Sequence, residues 1–405
     1  MNPTPLPRSR YDFVIIGAGI IGISVANELL KKEPKLKVLI LEKESGIGFH
    51  ASGRNSGVLH AGFYYSPDSL KAKFCKDGNA ELVKLMTNTP GSIMNTGKIV
   101  VARNELEYTH LQNLHSRGLA NDVNLELHDA ELLKKYEPLA RTYGGFIWSP
   151  STSIGNPSMI LDALLHEAKV RDLKIKFNVQ IKGMDKESIY TETDHILYKH
   201  LVNCAGTQAD RVAHSLGVLD EYSLMPFLGV YRTTNLKYLP IKTLVYPVPH
   251  VVNPFLGVHL TMTLHGEVKI GPTAIPLLGR EQYSWNSRVP GSDLIDTLKS
   301  AISIAKGSKH SLRQLITSDV LKLRLSNLIE DASTLVPDTA KVKTWRTKPP
   351  GIRAQLVNRK TGELVQDFIV ETLGNATHVL NAVSPAWTSS IPFGKYVAVK
   401  AHAAL

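Results

Sequence analysis

The amino-acid sequence predicts an α/β protein of two domains. One is built on a buried parallel sheet gathered from distant segments, the other on a mixed α+β sheet. Three observations predict this. A strand, a glycine loop, a helix and a second strand open the chain within residues 11–42. Apolar strand signals followed by turn residues recur far downstream, at 201–206 and 378–381. Residues 222–271 are rich in Tyr, Val, Phe and Thr, side chains that favour strands. A length of 405 residues fits two or three domains at roughly 150 residues each.

Residues 11–16, Tyr-Asp-Phe-Val-Ile-Ile, form a nearly continuous apolar run, the pattern of a buried parallel strand. Gly17-Ala-Gly-Ile-Ile-Gly22 follows directly. Apolar residues then recur at Ile21, Val25 and Leu29 and at Ala26 and Leu30, a helical period ending near Lys32. A second apolar run at 38–41 ends in Glu42. Each part has a physical task. Gly17 permits a tight turn, Gly19 lets the backbone approach a pyrophosphate, and Gly22 allows close helix–strand packing. The helix N-terminus offers free N–H groups to phosphates. Glu42 suits the hydroxyls of an adenosine ribose and disfavours a 2′-phosphate, which argues against NADP. The unit is therefore a Rossmann-like dinucleotide fingerprint. A compact NAD unit would not draw on segments near 202 and 380. The spread indicates an FAD domain that the chain leaves and re-enters.

The later elements follow from the same rules. Residues 224–234, 254–264 and 267–271 are expected as strands, with His265-Gly266 as a turn. Ser292 is expected to N-cap a helix marked by Leu294, Ile295, Leu298 and Ile302, and a second helix is expected over 311–329. Ser384-Pro385-Ala386 reads as an N-cap followed by proline at the first helical position, opening the C-terminal helix. The FAD domain is expected from 1–75, 150–215 and 340–405, and the substrate domain from 76–149 and 216–339.

Composition narrows the function. Lys plus Arg exceeds Asp plus Glu by 47 − 36 = 11, a balance that favours anionic partners. No nucleic-acid module appears, and no basic run is interleaved with aromatics, so nucleic acid is not expected as a partner. Cys75 and Cys204 are the only cysteines, which leaves no disulfide framework or Cys-rich metal site; no metal is expected. The thiols fit a reducing compartment, and the expected location is cytoplasmic. No apolar stretch is long enough for a transmembrane helix, and residues 1–10 do not resemble a secretory signal. Residues 311–335 mix Leu and Ile with Lys and Arg. They read either as a helix packed on its own domain or as an interfacial helix at the inner membrane.

Several longer stretches carry a resemblance. They include Asn55-Ser-Gly-Val-Leu-His-Ala-Gly62, Ser69-Leu-Lys-Ala-Lys-Phe-Cys75, Ala209-Asp-Arg211, Tyr246-Pro-Val-Pro249 and residues 254–260. Gly351-Ile-Arg-Ala-Gln355, Asp367-Phe368 and Ser384-Pro-Ala386 with Ile391-Pro392 complete them. The chain resembles the glycine-oxidase/D-amino-acid-oxidase superfamily of FAD enzymes, and within it the L-2-hydroxyglutarate dehydrogenase family. It departs from that family's pattern at Arg54, at Leu228 and Val230 in 227–230, and over 153–157.

The resemblance implies oxidation of a small anionic 2-hydroxy acid, best L-2-hydroxyglutarate, by hydride transfer to FAD, with a quinone or O2 as electron acceptor. It implies Arg353 as the carboxylate clamp, because a guanidinium pairs bidentately with a carboxylate. His60 and His259 are the candidate bases, and the sequence does not choose between them. The residues expected at the cofactor are Gly17, Gly19, Ile20, Ile21, Gly22, Glu42, Lys43, Ser52, Arg54, Asn55, Ser56 and Gly57, then Val179, Cys204, Ala205, Gly206, Gly351, Ser384, Pro385 and Ala386. Cys204 is expected as a small residue at a strand end rather than a nucleophile. The helix opened by Ser384 is expected to aim its dipole at the reduced flavin. Alternatives within the fold are an amine or amino-acid oxidoreductase and a glycerol-3-phosphate oxidoreductase. The alternative of a different class is a non-catalytic flavoprotein that binds anions or a membrane surface.

Overall fold

The computed structural model describes residues 8–249, 256–284, 286–307 and 320–405. Arg8–Ile16 forms the central strand of an eight-stranded sheet, with His195–Asn203 on one side and Val38–Leu41 on the other, all parallel. Lys174–Lys176 extends it parallel to Val38–Leu41, and Ala376–Leu380 pairs parallel with His195–Asn203. The continuous apolar runs are explained by burial on both faces: Phe13, Val14, Ile15, Leu39 and Ile40 are fully buried. The helix Ile20–Lys32 packs against Ser390–Ala403 and Pro157–Val170 over this sheet. Ile16, Leu41 and Asn203 end level with one another. Ligands of open α/β sheets bind beyond such carboxyl ends.

A second eight-stranded sheet faces this edge. Its order is Arg346–Thr347, Arg232–Asn235, Glu267–Gly271, His259–Met262, Leu244–Pro247, Lys98–Val101, Gly145–Ser149, Glu126–Asp129. It is mixed, because Leu244–Pro247 runs parallel to Lys98–Val101 and the other pairings are antiparallel. A three-stranded antiparallel sheet places Gly351–Asn358 beside Tyr222–Gly229, with Arg353 opposite Phe227.

The stretch expected as one strand over 224–234 is two, Tyr222–Gly229 and Arg232–Asn235, in different sheets. Thr273 divides them. Its hydroxyl donates to the Leu228 carbonyl (3.0 Å) and accepts from the Val230 N–H (3.1 Å), taking the place of ladder bonds. Of the strand expected over 254–264, His259–Met262 is formed, and 254–255 lie outside the described residues.

Ser292 does not cap its helix. Gly291–Gly307 starts before it, and the N–H groups of Asp293 and Leu294 donate to the Pro290 carbonyl. The helix also presents its apolar stripe outward: Leu294, Ile295, Leu298 and Ile302 are between 37 and 54% exposed. Asp293 sets this orientation. It accepts from the Arg280 N–H (2.8 Å) and pairs with Arg211 (2.7 Å), turning the polar face inward. Arg280 is itself fully buried and pairs with the buried Asp210, which also accepts from the Leu224 N–H. The Ala209-Asp-Arg211 motif thus has a structural task in joining the helix after His195–Asn203 to residues 280–296.

The helix expected over 311–329 is replaced, where described, by a 3-10 turn at Leu321–Leu323 and a helix at Leu325–Ser333. Arg324 separates them in an extended conformation (φ −71°, ψ 126°), and 311–319 lie outside the described residues. No helix among the described residues is long and apolar enough to cross a membrane.

Candidate active site

A cavity of about 830 Å³ runs from the carboxyl ends of the parallel strands to the second sheet. At its nucleotide end Gly17 adopts φ +101°, and a Cβ there would lie 2.5 Å from the Cys204 carbonyl oxygen. Gly22 stands behind the cavity, where a Cβ would lie 2.1 Å from the Gly17 oxygen. Gly19 provides no side-chain cap for the helix Ile20–Lys32; instead the Ser52 hydroxyl accepts from the Ile20 N–H (2.9 Å). The Glu42 carboxylate accepts from the N–H groups of Ala18 (2.8 Å) and Glu44 (2.9 Å), which fixes it at the end of its strand. A pyrophosphate therefore has bare backbone to approach, and a ribose has a held acid. These residues fit an FAD dinucleotide.

Gly17, Gly19, Ile20, Ile21, Glu42, Lys43, Ser52, Arg54, Asn55, Ser56, Val179, Cys204, Ala205, Gly206, Gly351, Ser384, Pro385 and Ala386 all line the cavity, with His60, His259 and Arg353. Gly22 and Gly57 do not. Gly57 is structural: its carbonyl accepts from the Gly155 N–H (2.7 Å) and holds the small sheet of Val58–Leu59 and Ser153–Gly155. Among the described residues, Glu44, His50 and Glu281 gather closely enough to suggest a metal. Lys43 already supplies the cation, with its ammonium 2.8 Å from Glu281 and 3.0 Å from His50.

Ser384 is not the cap of the C-terminal helix. That helix is Ser390–Ala403, and residues 384–389 form successive turns before it. The first helical bond there runs from the Phe393 N–H to the Ser389 carbonyl. The proline in the opening turn is Pro392, where a missing N–H costs nothing. The preceding turns are held by Thr388, whose hydroxyl donates to the Val58 carbonyl and accepts from the His60 N–H, both 3.2 Å.

At the substrate end, Arg353 is oriented by Gln355, whose side-chain oxygen accepts from Nε (3.2 Å) and Nη2 (2.9 Å). Gln355 is held in turn by the Val365 carbonyl and Asn381. Burial lowers Arg353 to about 10, opposed by the neighbouring Tyr65, and it stays a cation at neutral pH. His259 is buried and stacks on Tyr246, with ring centroids 3.9 Å apart. Its Nδ1 lies 2.8 Å from the Gly257 carbonyl. A carbonyl only accepts, so Nδ1 carries the proton and Nε2 keeps its lone pair. Burial pulls His259 down to about 4; the Gly257 hydrogen bond opposes it, and Lys98 adds a smaller downward pull. His60 is held well below the usual histidine range by burial, then by Lys98 and His259. Both imidazoles are neutral at pH 7.

Arg54 lies over the Tyr283 ring (4.3 Å) and donates to the Phe49 carbonyl (2.7 Å). The other departures from the family pattern lie off the cavity. Leu228 and Val230 point into an apolar cluster with Ile275, Leu277 and Ile352, while their neighbours Phe227 and Gly229 line the cavity. Ile154 is core, and Asn156 caps the helix Pro157–Val170. Sequence reasoning missed Gln355, Thr388, Tyr246 as the stacking partner, and a fully buried Lys98. The motif around Tyr246 and Gln355 was visible, but their contacts were not.

Residues 12–399 match the family described as FAD dependent oxidoreductase. The chain belongs to this family. This oxidoreductase is 35% identical to an L-2-hydroxyglutarate dehydrogenase of Escherichia coli over 403 residues, covering 98% of this chain and 94% of the relative. It is 32% identical to the mitochondrial L-2-hydroxyglutarate dehydrogenase of Homo sapiens, covering 96% and 88%. Among solved structures, the FAD-bound L-alpha-glycerophosphate oxidase of Mycoplasma pneumoniae superposes with a TM-score of 0.75 at 22% identity, covering 97% of this chain and 95% of that one. Glycine oxidase from Geobacillus kaustophilus gives 0.71 at 19% identity, with the same coverage. At those identities the structures bear on the fold alone, and the fold is that of FAD flavoenzymes.

Proposed function

We propose that this oxidoreductase converts L-2-hydroxyglutarate to 2-oxoglutarate. The observation that carries the reading is the half-buried Arg353 cation sharing one cavity with two neutral imidazoles, His60 and His259. Full-length relatives named for this activity support it. The placement of Leu228, Val230 and 154–157 away from the cavity also supports it, because most departures from the family pattern then leave the substrate's surroundings untouched.

Arg353 binds the carboxylate beside the carbinol carbon, and its planar fork fixes that carbon's orientation. His259 takes the hydroxyl proton on Nε2 as the carbon loses its hydrogen with the electron pair. His60, whose Nδ1 is buried without a partner, shares the cavity with His259 and Arg353. FAD, when bound, supplies the two-electron acceptor. Gly17, Gly19 and Ile20 would hold its pyrophosphate, Glu42 its ribose, and 384–386 its ring edge.

The electron acceptor is a quinone or O2, and the location is cytoplasmic, at the surface of the inner membrane. The outward apolar stripe of Gly291–Gly307 supports that contact; absence of flotation with anionic vesicles would remove it. The activity itself is tested by product analysis with an artificial electron acceptor. One equivalent of 2-oxoglutarate per two electrons is expected from the L isomer, and none from the D isomer. A different keto product, or equal rates from both isomers, overturns the assignment.

A further inference from the structure

The cavity-facing side of the second sheet carries a row that extends from His259 to two residues the reaction above does not use, Tyr246 and Lys98. Lys98–Val101 pairs in parallel with Leu244–Pro247, Lys98 opposite Leu244 and Val100 opposite Tyr246. Lys98 and Tyr246 are therefore diagonal neighbours on one face. Val245 pairs antiparallel with Leu260, which sets His259 opposite Tyr246 on that same face. Three adjacent strands thus align an amine, a phenol ring and an imidazole.

Lys98 is fully exposed to protein and not at all to solvent. Its Nζ has no hydrogen-bond partner. Three rings surround it, Phe63 at 4.4 Å, Tyr64 at 4.5 Å and Tyr246 at 5.0 Å. Such distances attract a cation. A surface role is excluded by the burial, and a structural ion pair is excluded because no described carboxylate pairs with it. Packing alone is a poor account, because a leucine or methionine fills such a cage without stranding an ammonium. What remains is electrostatic. The titratable groups facing Lys98 are His60 and Tyr64 from the strand Val58–Leu59 and the loop after it, Cys75 from the helix Leu70–Leu85, Tyr246, and His259. Ser149, opposite on Gly145–Ser149, is neutral.

We propose that Lys98 is a positioning residue of the site: its charge, held behind Tyr246 in an aromatic cage, keeps His60 and His259 in the neutral form that accepts the substrate's hydroxyl proton. The proposal rests on the functional reading above. Burial brings the amine itself down to about 7, opposed by Cys75, so the charge is full in acid, where protonation threatens the imidazoles, and fades above neutrality. The atoms of the reaction are unchanged; Lys98 accepts no substrate proton and acts only through the field at the imidazoles.

The test uses the flavin-loaded protein and its Lys98→Met variant, in two arms. The first follows kcat/KM for L-2-hydroxyglutarate from pH 4 to 9. The second follows histidine imidazole resonances by NMR over the same range without substrate, and so reads Lys98 even if the substrate assignment fails. In Lys98→Met the acid limb and the His60 and His259 titrations should move up by about one pH unit. Lys98→Arg, which keeps the charge, should leave both near wild type. Unchanged imidazole titrations in a folded, flavin-loaded Lys98→Met overturn the proposal. So does a Lys98 side chain in the wild type that shows no titration near neutrality, a measurement that needs no variant.

Discussion

Replacing Arg353 by methionine removes the half-buried cation proposed to hold the substrate carboxylate while keeping the length and flexibility of the side chain. Two effects follow and can be separated. In catalysis, losing one partner of a desolvated, hydrogen-bonded charge pair costs about 2–5 kcal/mol. At about 1.36 kcal/mol per tenfold, kcat/KM should fall about 30- to 5,000-fold. In stability, the Gln355 oxygen that now accepts from Nε and Nη2 is left without those donors. An orphaned buried acceptor costs about 1–3 kcal/mol. Gln355 keeps its own bonds to Val365 and Asn381, so the strand Gly351–Asn358 stays folded. Stopped-flow reduction of the bound flavin under anaerobic conditions, over a range of L-2-hydroxyglutarate concentrations, measures the catalytic part; flavin content and Tm measure the rest. Arg353→Lys, which keeps the charge and loses the planar fork, should lie between wild type and methionine. A methionine variant that binds flavin fully and reduces it within threefold of the wild-type rate refutes the clamp.

Three further outcomes are expected. Gly22→Ala puts a methyl group where the Gly17 oxygen lies 2.1 Å away, so the purified variant should lack flavin absorbance; a flavin-replete variant contradicts the packing argument. Arg280→Ala strands the buried Asp210 and should cost about 3–5 kcal/mol in denaturant unfolding, whereas a loss below about 1 kcal/mol shows the pair to be solvated. His200, His259 and His378 are lowered by burial to about 4, so between about pH 6.5 and 4 the unfolded chain binds protons that the folded chain does not. Their contribution is complete above pH 6.5 and is lost as pH falls towards 4. Tm should drop over that window, and a His200→Asn, His378→Asn double variant should flatten it.

The nucleotide end was legible because its information is local. Gly17, Gly19, Gly22 and Glu42 lie within one strand–helix–strand unit, and each is chosen by backbone geometry that the spacing encodes. The substrate end depends on pairings between strands more than a hundred residues apart. A lysine before Ile99-Val100-Val101 reads as a strand's solvated start; only the register with Leu244–Pro247 buries it behind Tyr246. Periodicity found the helix at 291–307 but not its orientation, because an apolar stripe signals amphipathicity and says nothing of the Asp293 contacts that turn the polar face inward. Ser384-Pro385 carries a sound helix-start signature, yet Thr388 ties the next turns to Val58 and His60, and the helix waits until Ser390. Alternation along Tyr222–Gly229 could have shown that Leu228 and Phe227 face opposite ways, which removes Leu228 from the cavity.

The most direct test of the account is anaerobic flavin spectroscopy of the purified protein with L-2-hydroxyglutarate, D-2-hydroxyglutarate, L-lactate, glycerol-3-phosphate and amino acids offered in turn. Bleaching of the oxidised flavin band by L-2-hydroxyglutarate, with the other compounds inert at equal concentration, is the result the Arg353 and histidine geometry predicts. Bleaching by glycerol-3-phosphate or an amino acid, with L-2-hydroxyglutarate inert, contradicts it.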